Sequence, residues 1–102
     1  MTEIYVGVSN DHLTDQWALH PGVSDACELM KILTGAISVG FVCNGYGGIY
    51  PGDVYSIILQ EDDVLFFLIR TGLDMIDSDV VQKYKREQSH QYWDRALNAH
   101  RY

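Results

Sequence analysis

Glu3 to Ser9, EIYVGVS, is short, alternating, β-branched and aromatic, and this pattern predicts a strand. The following NDHLTDQWALH supports a helical turn or two before Pro21-Gly22 stops it. SDACELMKILTG carries the clearest helix start: Ser24 stands as N-cap, and Asp25 and Glu28 place negative charge in the first turn. Leu29, Met30, Leu33 and Ala36 then recur at helical spacing and mark an apolar face.

Beyond Gly35 the period is lost. AISVGFVC reads either as a buried strand or as a helix running on to an Asn44-Gly45 cap. DVYSIILQ and VLFFLIR are apolar on both faces and are separated by Glu61, Asp62 and Asp63. As strands they form a hairpin; as helices they form a packed pair, with Asp62 or Asp63 capping the second. The density of valine and isoleucine favours strands, although no Gly or Asn-Gly turn lies between them. From Ser78 to about Asn98 the pattern predicts a helix capped by Asp77 or Ser78. The resulting expectation is an α+β fold, a small antiparallel sheet packed by two main helices, with residues 1–102 as a single globular domain. An all-α bundle is the alternative.

Composition supports a folded domain and adds one asymmetry. The chain has 102 residues, 47% hydrophobic and 21% charged, enough for one core. The net charge of −7 is unevenly spread. Residues 1–79 hold twelve acids against Lys31 and Arg70, 2 − 12 = −10; residues 80–102 hold five bases against Glu87 and Asp94, 5 − 2 = +3. An acidic body repels nucleic-acid phosphate and attracts basic protein surfaces. The longest apolar stretch, Leu29 to Cys43, contains Lys31, Thr34 and Ser38 and is shorter than the roughly 20 residues a bilayer needs. No secretory pattern is apparent, since Glu3, Asp11 and Asp15 stand where a basic segment and an apolar run would be needed. The expectation is a cytoplasmic protein without membrane contact, in which Cys27 and Cys43 remain free thiols.

The motifs for specific chemistry are incomplete. NGYGGIYPGD (residues 44–53) has four glycines, but no lysine follows and the spacing is not that of a phosphate loop. It reads as a long turn in which Asn44-Gly45 and Gly47-Gly48 supply positive φ and Pro51-Gly52 a second bend. Tyr46 and Tyr50 among these residues also give it the composition of a recognition loop. GAISVG misses the nucleophile-elbow spacing. Cys27, in the first turn of a helix and with His12 or His20 alongside, is the one candidate nucleophile, though Asp25 and Glu28 raise its pKa. His12, His20, His90 and His100 fall in no metal-ligand spacing, and DMIDSD lacks the glycine and terminal glutamate of a calcium loop. No cofactor or metal is expected. In the last segment Val80, Val81 and Tyr84 start an apolar stripe that Lys85 to Gln91 interrupt and Tyr92, Trp93, Ala96 and Leu97 resume. Such a helix either bends or leaves one end to a partner.

These residues point to a non-enzymatic protein that binds another protein with a basic surface, as an inhibitor or regulator. Anti-defence, immunity and anti-activator proteins share its size, its charge and its lack of a catalytic motif. Glu61, Asp62 and Asp63 would steer association, with Asp11 and Asp15, and Tyr46, Tyr50, Tyr92 and Trp93 would anchor it. The alternatives are a small enzyme using Cys27 and a self-associating structural subunit.

Overall fold

The computed structural model describes the backbone of residues 1–99 and the side chains of residues 1–88. The first strand, β1 (Thr2–Val8), pairs antiparallel along its whole length with β3 (Asp53–Leu59), Thr2 opposite Leu59 and Val8 opposite Asp53. β2 (Ser38–Cys43) flanks the other side of β3, and the short β4 (Asp74–Ile76) flanks β1. The sheet order is β2-β3-β1-β4 with every neighbour antiparallel. In β2 the pairing steps from Phe41 to Cys43, so Val42 is the extra residue of a bulge. The fold is therefore α+β, and the all-α alternative is set aside.

Strand side chains alternate between two faces, and both faces are covered. Ile4, Val6 and Val8 of β1 and Tyr55, Ile57 and Leu59 of β3 share one face. There they meet Leu13 of α1 (Asn10–Leu19), Leu29 and Met30 of α2 (Ala26–Thr34), and Phe67 of α3 (Val64–Thr71). This is the main core; each fully buried large side chain in it contributes about 1.5–3 kcal/mol. Tyr5, Gly7 and Val54 have the opposite parity; on that side Tyr5 meets α4 (Ser78–Ala99) and the Tyr50 ring covers Gly7. Gln82 of α4 donates to the Tyr5 hydroxyl at 3.1 Å, Lys85 lies over the Tyr5 ring, and Val81 is fully buried.

Local chemistry sets the helix limits. Ser9 caps α1 by accepting from the His12 amide. The α2 cap is Asp25, not Ser24: its Oδ1 accepts from the Cys27 amide at 2.9 Å, and Gly35 ends the helix in the left-handed region. The helix therefore stops there, and the following AISVGFVC segment supplies β2 instead of running on to Asn44-Gly45. Asp77 caps α4 through the Asp79 amide. The two apolar runs behave differently. DVYSIIL forms β3, whereas VLFFLIR, which the sequence pattern favours as a strand, is the helix α3. Glu61–Asp63 form a single 3₁₀ turn leading into α3, placing three exposed carboxylates at its positive end, and Gly72 in the left-handed region closes its other end. Those terminal signals outweigh β-propensity.

The glycine stretch is a turn of different construction from the one expected. Asn44 Oδ1 accepts from the Tyr46 amide and caps a 3₁₀ turn, Gly45–Gly47. Gly48 alone in this stretch has positive φ, at 78°. Gly52 is required for space, because a Cβ there would overlap the Val8 carbonyl oxygen and press on the Ser9 Cα.

Candidate functional site

Helix α3 turns Phe67 fully inward and Val64, Leu68 and Thr71 partly so, at the i, i+3, i+4, i+7 spacing of a single helical face. Because the run is apolar all round, its other face is apolar too. Leu65, Phe66 and Ile69 are 70%, 67% and 75% exposed. A helix that is apolar on every side is ordinarily buried on every side. Here half of it faces solvent. Exposed carboxylates of Glu61, Asp62 and Asp63 precede this stripe, Asp62 lying three and four positions before Leu65 and Phe66. Beside it is a shallow depression of about 210 Å³ lined by Thr34, Gly35, Leu59, Asp63, Phe66, Phe67 and Arg70. Arg70 donates to the Thr34 carbonyl at 2.7 Å, which fastens α3 to the end of α2 and occupies one of the two bases of the acidic body.

The tyrosines of the glycine stretch separate into two environments. Tyr46 is 98% exposed at the turn that Asn44 caps. Tyr50 is half-buried: its ring lies over Gly7, where any Cβ would collide with it, and its hydroxyl donates to Asp74 Oδ2 at 2.7 Å. Tyr50 thus ties the turn to β1 and β4. Tyr92 and Trp93 lie outside the residues whose side chains are described. Comparison with protein-family models, with curated proteins and with solved structures finds no match.

Around Cys27 the structure brings together Asp25, Tyr55 and the Phe41 backbone. Burial, reinforced by the Asp25 charge, pushes the Cys27 thiol above its ordinary value, and a hydrogen bond from the Phe41 backbone only partly opposes this. His12 Nε2 is buried without a hydrogen-bond partner, and so makes no hydrogen bond to the Cys27 thiol. Cys43 is buried and likewise raised by burial and then by Asp53. No group of three or more possible metal ligands occurs among the described residues. No helix among them is long and apolar enough to cross a membrane.

The tyrosine hydroxyls carry a pH signature. Burial, then the Asp53 charge and the hydrogen bond to Asp53 Oδ2 at 3.1 Å, hold the Tyr55 hydroxyl well above its ordinary 10.0. Tyr5 beside Glu3 and Tyr50 beside Asp74 are raised for the same kinds of reason, with the hydrogen bond to the carboxylate as the largest. A raised folded pKa adds stability that is complete below the unfolded value and lost as pH climbs towards the folded one. Thermal stability should therefore hold through neutral pH and fall above about pH 9–10, where unfolded thiols and phenols ionise. Tyr55→Phe should shrink that alkaline loss. Phenolate absorbance reaching completion near pH 10 in the intact fold would contradict this assignment.

Proposed function

We propose that this protein binds another protein through the outer face of α3, acting as an inhibitor or regulator of a partner with a basic surface. The observation that carries this reading is the Leu65–Phe66–Ile69 stripe, left in solvent directly behind three exposed carboxylates. Exposed contiguous apolar surface rimmed by charge favours association, because burying it is worth about 25 cal/mol per Å². The acids supply long-range attraction, and the apolar side chains supply the short-range energy. Self-association through the same face brings together two copies that each carry −7, whereas a basic partner is attracted. Three side chains cover less than the about 800 Å² per partner of a standard interface, so adjoining surface must take part.

Capture from a lysate of the native host tests this reading. A specific protein should be retained at low salt and released as salt rises past about 0.15 M, where the Debye length is about 8 Å. With that partner in hand, Glu61→Gln, Asp62→Asn and Asp63→Asn together should slow association about tenfold and flatten its salt dependence. They should lower thermal stability only slightly, because the charges they remove face the positive end of α3 but are exposed, and Asp63 makes no side-chain capping bond to the helix. An association rate that the triple variant does not alter removes the acidic turn from the account.

A further inference from the structure

A second feature lies at the other end of the acidic body. An open cleft of about 420 Å³ is lined by Asn10, Asn44, Gly45, Tyr46, Pro51 and Asp53. We propose that this cleft binds an arginine side chain, presented by the same basic partner on which the functional reading rests. Three observations converge on a guanidinium. The Tyr46 ring lines the cleft almost completely exposed, on a turn whose backbone Asn44 fixes, so an aromatic face with nothing packed on it is open to a ligand. Asp53 gives one carboxylate oxygen to the Tyr55 hydroxyl, leaving Oδ1 for a second donor. No basic residue lines the cleft, while Asn10 and Asn44 add amide groups.

A guanidinium uses all of these. It stacks on a phenol ring, donates in its plane to a carboxylate, and has further N–H groups for amide oxygens. An ammonium has neither the plane nor the fork. An anion would gain from the start of α1 at Asn10, but that end carries only about half a charge. The Asp53 carboxylate in the lining opposes it, and the Ser9 hydroxyl already occupies the His12 amide. An apolar group would shield the Asp53 carboxylate from water while leaving its second oxygen without a donor.

The test is an amide-resolved NMR titration of the full chain with a blocked Gly-Arg-Gly peptide, beside the same peptide carrying lysine or citrulline, and inorganic phosphate. The arginine peptide should give saturable shifts at Asn10, Asn44, Gly45, Tyr46 and Asp53. Binding should be about fivefold weaker for lysine and lost for citrulline, which keeps the shape and removes the charge. Tyr46→Ala and Asp53→Asn should each weaken arginine binding about fivefold or more, with the remaining amides unmoved as proof of an intact fold. Asp53→Asn retains an acceptor for Tyr55. Equal binding of lysine, saturable phosphate binding at these amides, shifts confined to other surfaces, or variants that bind like the parent would each overturn the proposal. Because the partner protein is absent from this titration, its failure leaves the α3 reading to its own test.

Discussion

Gly52→Ala should destabilise the protein by about 3 kcal/mol or more, a large share of the 5–15 kcal/mol that holds a small domain together. The added methyl group would meet the Val8 carbonyl oxygen and the Ser9 Cα, which are backbone atoms where β1 passes into α1. A side chain can rotate away from an intruder. This backbone cannot, because Val8 is paired opposite Asp53 and the Ser9 carbonyl accepts from the Leu13 amide at 3.0 Å. Gly22→Ala is the control: nothing lies within 4 Å of its Cβ position, and removing freedom from the unfolded chain should leave stability unchanged or raise it by up to about 1 kcal/mol. Urea unfolding of both variants checks the pair. A Gly52→Ala midpoint equal to the parent's would mean that the crossing of the two segments is looser than described.

The second large effect falls on binding and spares the fold. Leu65→Ser, Phe66→Ser and Ile69→Ser together should weaken partner affinity at least about 100-fold, since an apolar anchor in an interface is worth about 2 kcal/mol or more. Stability should change by less than about 1 kcal/mol, because these side chains are already two-thirds or more exposed and bury little on folding. One position on the same helix should reverse the pattern: Phe67→Ala empties the core and should cost about 3–5 kcal/mol. Calorimetric titration and thermal melts of the two variants separate the faces. A triple variant that melts early but binds normally would assign the stripe to folding.

The parts of the fold legible in the sequence are those where polarity changes with position. EIYVGVS alternates and becomes β1; Asp77 precedes a long polar helix and caps it; α2 has its acidic first turn and its apolar face. Asp25 displaced Ser24 as the α2 cap because either oxygen can serve an amide two residues on, and composition does not choose between adjacent candidates. VLFFLIR was opaque for a different reason. With no polar residue inside it, neither a period of two nor one of 3.6 leaves a trace. The deciding signals were at its ends, in the three acids before it and in Arg70 and Gly72 at its close. The same lack of contrast hid the candidate site. Glu61, Asp62 and Asp63 were visible as surface charge, but nothing in an unbroken apolar run separates Phe67, which is buried, from Phe66 beside it, which is not. The glycine stretch was legible as a turn, whereas the seat of Tyr50 on Gly7 joins positions too distant in sequence to be read together.

Amide hydrogen exchange, measured on the full chain alone and with its captured partner, tests the use of α3 most directly. The α3 amides lie in a short helix with one face in solvent, so they should exchange readily in the free protein. Partner binding should slow exchange across residues 61–71 more than in any other segment. Unchanged exchange there, with protection confined to β2 or α4, would contradict the account.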